Sequence, residues 1–311
     1  MAQMSDVPTL DELCEDARAY LRVGDIEAAV AVLLEGLHSD QSGETRAGAT
    51  NAVNNLCLSL WSARDFDGGA RAARAILNRI KRHDESPGEF GFLDGYIAAL
   101  AETGTTSLAP RRIDRHRHLM RLFQRVVNGP EGDIAECGCA RGLSSFQLCA
   151  AFRSAHPEWR GETFHVFDSF RGLSAPGEED AVDASAVDGH NIAEHSSAGR
   201  FAVPRDVVAR NLHRLFPRVS LHAGWIPEVF TGQPDRRYRF VHVDVDLYQP
   251  TRDSLRYFFP KLRPGGIIIT DDYVWPGARK AFDEFAAERA LELQTTDANQ
   301  AYIVKGASGG D

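Results

Sequence analysis

The sequence predicts an α/β fold: a mostly parallel sheet with helices on both faces, preceded by a small all-helical region. Three observations carry this. Residues 132–142, GDIAECGCARG, read as a buried strand that runs into a glycine turn and then a helix. Residues 239–247, RFVHVDVDL, and 266–273, GIIITDDY, are two more apolar runs, each ending on acids. Before residue 100 the apolar residues recur at helical spacing instead.

Residues 9–38 read as a helical pair. Leu10, Leu13, Ala17, Tyr20 and Leu21 share one face, Gly24-Asp25 breaks the pattern, and Ile26 to Leu37 resumes it. Residues 44–83 look like a second pair, with a break at Ala63-Arg64-Asp65. Asp25 and Asp65 stand 40 positions apart, longer than the tetratricopeptide period of ~34 residues. The expectation is a tetratricopeptide-like N-terminal domain, residues 1–100, that packs on its neighbour or on a second copy in a homo-oligomer. A helical extension with no partner duty fits equally well. GFLDGYIAALAE adds a short helix, and TGTTSLAP, 103–110, is a polar linker closed by Pro. The boundary therefore falls between 84 and 110, and a second domain fills residues 101–311. Arg111 to Val127 forms its first helix.

In the glycine turn the spacing is Glu136-x-Gly138-x-x-x-Gly142. Glycine lets the chain turn sharply and a ligand approach closely. LSSFQLCAAF then has helical spacing, so Gly142 sits near a helix N-terminus. Strand, turn and helix at a parallel sheet form the usual crevice for a nucleotide-like ligand. On this stretch alone an ordinary strand-to-helix turn is the alternative. The spacing is not the G-x-G-x-x-G of dinucleotide sites, which disfavours an NAD-dependent oxidoreductase.

Thr163 to Phe167 is the second strand, ending at Asp168, where a ribose is commonly held by its hydroxyls. Residues 174–204 are polar, acidic and broken by Pro and Gly, with no regular element. A segment of that length suits a lid, and it carries His190 and His195. FAVPRDVVARNLHRLF is a helix, and VSLHAGW a third strand ending at Gly224-Trp225. Asp244, Asp246, Asp271 and Asp272 lie at the ends of two neighbouring strands. Clustered carboxylates repel, so they need a cation or a proton between them. Carboxylates without a His or Cys set suit a hard ion such as Mg2+. Asp246 is the one expected to cap a helix instead.

Composition bounds the rest. The chain has 311 residues, 43% hydrophobic and 25% charged, which suits one large globular domain plus a smaller one. A net charge of −9 without a basic block argues against nucleic acid or an anionic membrane as partner. No signal peptide or membrane span is read, and the cytoplasm is the expected compartment. Cys14, Cys57, Cys137, Cys139 and Cys149 form no disulfide framework. Cys137 and Cys139 are read as small packing residues.

GDIAECGCARG, VFDSFRGL, HAGW, VDVDLYQPTRDSL, PGGIIITDDY and PGARKAFDEF follow one another in this order. The set resembles the macrocin O-methyltransferase-like group of class I S-adenosylmethionine (AdoMet)-dependent methyltransferases, which methylate sugars on antibiotics. The resemblance runs from about Arg111 to Lys305. It implies a Rossmann-like class I methyltransferase sheet. It also implies AdoMet near Glu136, Gly138 and Gly142, ribose contact at Asp168, and Mg2+ at Asp244, Asp271 and Asp272. Arg141, Ser169, Gly224 and Trp225 complete the cofactor-binding candidates. The implied substrate is a small molecule, a glycosylated natural product. The sequence departs from the family at Cys139-Ala140, where bulkier residues are usual, and at Val245, where Gly is usual. Residues 174–204 match poorly, which leaves the acceptor open.

A sugar hydroxyl is a poor nucleophile at neutral pH, so a metal ion and a base are expected. Asp244 is the first choice of base, and His190 or His195 the second. Two alternatives stay open: metal-free methylation of an amino or carboxyl group, and a non-catalytic AdoMet-binding interaction protein. The full acidic set argues against the second.

Overall fold

The computed structural model describes residues 92–105, 110–181 and 197–306, together with scattered positions between 15 and 32. His190, His195 and the helical pair expected over 44–83 lie outside the described residues. The chain divides into two compact units, Met1–Ile113 and Asp114–Asp311.

In the first unit, Val23 lies in a turn between the helical residues Ala19–Tyr20 and Ala28–Ala29; Gly24, where the break was expected, lies outside the described residues. The Asp25 carboxylate accepts the Ala28 N–H at 3.0 Å, satisfying a donor that a helix start leaves over. Helix α1 spans Phe92–Thr103, where the Thr103 hydroxyl donates to the Ala99 carbonyl at 2.7 Å. Helix α2, Pro110–Val127, runs on into the second unit. Proline suits its first position, where no backbone N–H is needed.

The second unit is built on seven strands: β1 Asp133–Cys137, β2 Phe164–Asp168, β3 Ser220–Ala223, β4 Tyr238–Val243, β5 Leu262–Thr270, β6 Gln294–Thr295 and β7 Ala301–Val304. Helices α3 (Leu143–Ala155), α4 (Arg205–His213), α5 (Tyr248–Phe258) and α6 (Pro276–Glu288) connect them. The strand order is β3-β2-β1-β4-β5-β7-β6. β1 to β5 pair in parallel, whereas β7 is antiparallel to β5 and to β6. The expected strands are all present; β6 and β7 are additions that the sequence reading did not contain.

Alternation along each buried strand feeds two cores. Ala135, Cys137, Val241, Val243 and Ile268 pack with Phe258 of α5 and Phe282 and Phe285 of α6. On the opposite face Phe240 meets Phe123 of α2 edge-on, with ring centroids 5.1 Å apart. Arg239 ties α2 to the sheet, because its guanidinium donates to the carbonyls of Val127 at 3.1 Å and Gly132 at 2.8 Å. A cation at a helix C-terminus also suits the helix dipole.

β1 has β2 on one side and β4 on the other, so the chain reverses direction across the sheet at that point. Ligands of open α/β sheets bind at the carboxyl ends of strands at such a reversal. The register sets Glu136 opposite His242, and His242 opposite Ile269. Among the described residues no helix is long and apolar enough to cross a membrane.

Candidate active site

The glycine turn and the first acidic strand end touch backbone to backbone. The Asp244 N–H donates to the Cys137 carbonyl at 2.8 Å, and the Gly138 N–H to the Phe167 carbonyl at 2.9 Å. Gly138 has φ +78°, and a Cβ there would lie 1.8 Å from the Asp244 carbonyl oxygen. The glycine is therefore demanded by the protein's own β4 loop, not only by an incoming ligand. Gly142, with φ +87°, starts α3.

Asp168 fastens the end of β2 to this turn. Its carboxylate accepts the Cys139 N–H at 2.8 Å and the Phe170 N–H at 2.6 Å. Burial raises its pKa, and those two backbone donors work against the rise. Ser169 shapes the next turn, donating to the Gly172 carbonyl at 2.8 Å and accepting the Arg171 N–H at 3.0 Å. The Gly224 N–H reaches the Asp168 carbonyl at 3.0 Å, and the adjoining Trp225 is exposed. Arg141 is exposed on the turn itself. Thus Gly138, Arg141, Gly142, Asp168, Ser169, Gly224 and Trp225 gather at the carboxyl ends of β1, β2 and β3.

Glu136 departs from expectation. It is fully buried, and its carboxylate is engaged by the Ser145 hydroxyl and by His242 Nδ1, the latter at 2.9 Å. Each of its two oxygens thus has a protein partner.

The acids meet beside the turn. Asp271 and Asp272 follow directly on β5, and both are buried. The Asp271 carboxylate accepts Gln300 Nε2 at 2.6 Å and lies 3.2 Å from His242 Nε2. Arg115 of α2 donates to the Asp271 carbonyl at 3.3 Å. The Asp272 carboxylate accepts the Asp246 N–H at 2.8 Å. Asp246 does not cap α5: it has φ +58°, and the residue at the cap position is Leu247, without a side-chain cap bond.

The electrostatics show how crowded this charge is. Burial and the nearby Asp271 charge push the Asp244 carboxyl up to about 7. Burial, Asp246 and Asp244 hold Asp272 well above the ordinary carboxylate range. Burial would raise Asp271 too, but His242 and Arg115 outweigh it and keep it below its usual value. Burial also opposes charge on His242, yet Asp271 and Glu136 lift its pKa well above the ordinary one.

The predicted metal set was Asp244, Asp271 and Asp272. One ligand atom each from His242, Asp244 and Asp271 lies within 4.8 Å of the others, while Asp272 Oδ2 accepts the Asp246 N–H. The sequence reading missed His242 because it sits inside an apolar run. Its spacing of two from Asp244, on one face of a strand, was the available signal.

Part of the segment expected to be irregular is ordered. Glu178–Asp180 forms a 3-10 turn. The Asp180 carboxylate accepts the Tyr248 N–H at 2.7 Å and the Gly177 N–H at 2.8 Å. A Cβ on Gly277 would lie 1.9 Å from Asp180 Oδ1, so Gly277 leaves room for this anchor.

Comparison with known proteins places the arrangement. Residues 98–304 match the macrocin-O-methyltransferase family model. The chain belongs to the macrocin O-methyltransferase family. It is accordingly an O-methyltransferase with the class I methyltransferase fold. The 8-demethyl-8-(2,3-dimethoxy-alpha-L-rhamnosyl)-tetracenomycin-C 4'-O-methyltransferase of Streptomyces olivaceus is 32% identical over 183 residues, 58% of this chain and 67% of that protein. Demethyldecarbamoylnovobiocin O-methyltransferase of Streptomyces niveus is 32% identical over 197 residues, 61% of this chain and 72% of that protein. The solved O-methyltransferase NovP superposes with a TM-score of 0.51 at 29% identity, covering 62% of this chain and 80% of its own.

Proposed function

We propose that this methyltransferase transfers a methyl group from AdoMet to a sugar hydroxyl of a glycosylated natural product, with a divalent cation of the Mg2+ class at the acidic cluster. The observation that carries the reading is the juncture of Gly138 with Asp244. It sets a cofactor-type turn directly against a cluster of carboxylates. The relatives named for rhamnosyl-tetracenomycin and demethyldecarbamoylnovobiocin methylation support a glycosylated acceptor.

The residues fit both groups. Gly138 and Gly142 present no side chain at the two ends of the turn, and Asp168 keeps lone pairs beyond its two backbone contacts. The raised pKa values of Asp244 and Asp272 mark negative charge that the protein leaves undercompensated, which is what a cation site requires. Asp244, Asp271 and Asp272 would hold the ion, and Asp168 the ribose.

AdoMet supplies an electrophilic methyl on a sulfonium. A bound divalent cation supplies positive charge that lowers the pKa of a neighbouring hydroxyl. With AdoMet held at the Gly138 turn, the acceptor oxygen would take the methyl group as the carbon–sulfur bond breaks, leaving S-adenosylhomocysteine. Asp244 accepts the hydroxyl proton. Asp244 is half-buried, whereas Asp271 and Asp272 are buried, so of the three proposed ligands it is the one placed to meet an acceptor. His190 and His195 remain second candidates for that proton.

The test is turnover on glycosylated acceptors with Mg2+ and with EDTA, alongside calorimetry with S-adenosylhomocysteine. Activity lost in EDTA with cofactor affinity retained is expected. Full activity in EDTA would instead favour methylation without a metal.

A further inference from the structure

We propose that His242 is a nitrogen donor to the ion at the acidic cluster, so that the site prefers a borderline transition-metal ion such as Mn2+ over Mg2+. The inference rests on the metal reading above and adds a ligand and a selectivity to it.

Three observations point the same way. First, His242, Asp244 and Asp271 each offer one ligand atom within 4.8 Å of the others. Second, His242 is fully buried, and its Nε2 has no hydrogen-bond partner among the described residues. It faces Asp271 Oδ1 at 3.2 Å. Third, the other ring nitrogen is already committed. Nδ1 lies 2.9 Å from Glu136 Oε1, and Glu136 is held in turn by the Ser145 hydroxyl.

The chain Ser145–Glu136–His242 thus has the form of a carboxylate behind a metal-binding histidine. Such a carboxylate takes the Nδ1 proton, fixes the tautomer and leaves the Nε2 lone pair aimed at the metal. A lone pair and a carboxylate oxygen facing each other repel unless a cation lies between them. Either a proton or a metal ion can fill that role, and the adjoining carboxylates favour the doubly charged one. Imidazole is a good donor for Mn2+ and later divalent ions, while Mg2+ favours oxygen ligands. The strand register produces the arrangement, because Glu136 and His242 are partners across β1 and β4 and Ile269, two before Asp271, pairs with His242 on β5.

The experiment uses the full-length protein, stripped with chelator and titrated with Mn2+ alone. Binding is followed by the loss of the free-ion EPR signal, and the bound ion by pulsed EPR. One Mn2+ per chain with clear 14N coupling is expected, displaced by Mg2+ only at a concentration at least ~10-fold higher. His242→Gln should abolish the 14N coupling and weaken Mn2+ binding roughly 10- to 100-fold. Glu136→Gln should weaken binding but keep the coupling. Bound Mn2+ without 14N coupling in the wild-type protein would overturn the inference while leaving a carboxylate metal site intact. No Mn2+ bound at all would overturn the metal reading as well. The wild-type spectrum decides the matter even where His242→Gln does not fold.

Discussion

Asp244 has two duties in the proposed reaction, cation ligand and proton acceptor, and neither involves the cofactor. Asp244→Asn should therefore lower turnover by roughly 10²- to 10⁴-fold and leave S-adenosylhomocysteine affinity within about twofold, as read by calorimetry. Asp271→Asn should behave differently. In the metal-free protein a protonated His242 faces Asp271, so the variant breaks a buried pair and, besides losing activity, should lower stability by about 3–5 kcal/mol, measured by denaturant unfolding in EDTA. His222 gives a pH effect away from the cluster. Its ring stacks on Phe167 with centroids 4.5 Å apart, and burial together with nearby His165 lowers its pKa to about 4. Below its ordinary value of 6.5 the unfolded chain takes up a proton that the folded chain refuses. That contribution to stability is complete above pH 6.5 and is lost as pH falls towards 4. His222→Gln should flatten the fall in unfolding temperature between pH 7 and pH 5; an unchanged slope would count against it. At this scale Asp168, Asp244 and the β5 acids were legible, because acids after apolar runs stand out. His242 and the inward duty of Glu136 were not, since both depend on pairing between strands more than a hundred positions apart.

At the scale of elements, the turn after β1 and the loop after β4 form one unit. Gly138→Ala would put a methyl group 1.8 Å from the Asp244 carbonyl at a backbone angle unfavourable to alanine. The expected result is a joint loss, at least ~10-fold in both S-adenosylhomocysteine affinity and turnover, unlike the selective loss in Asp244→Asn. Asp180 joins two other elements, supplying the start of α5 with the acceptor that Leu247 lacks. Asp180→Ala should cost about 1 kcal/mol and speed hydrogen exchange at the Gly177 and Tyr248 amides. Periodicity revealed β1, β2, β4 and β5 well, because each is a buried run closed by a turn or an acid. It failed for β6, which has two residues, and for β7, whose burial alternates over only four. Both are recognised through antiparallel pairing at the sheet edge, which local sequence does not encode.

For the molecule as a whole, the acidic cluster links metal binding to folding. The unfolded chain has no preformed site, so a cation should stabilise the folded state by about 2.7 kcal/mol at a hundredfold excess over its dissociation constant. A rise in unfolding temperature with Mn2+ or Mg2+, reversed by EDTA and absent in Asp271→Asn, checks this. The fold class and the order of the five parallel strands' segments were readable from the alternation of apolar runs and helical spacing. The spatial order β3-β2-β1-β4-β5-β7-β6 was not, since it depends on which side of the sheet each crossover takes. The close approach of Gly138 to Asp244 also constrains anyone who would re-engineer this enzyme. A cofactor loop grafted from a relative arrives with a backbone path shaped for that relative's own acidic loop. Chimeras that exchange the two segments together should keep their function more often than those that exchange either alone, so the pair is the natural module for transplantation.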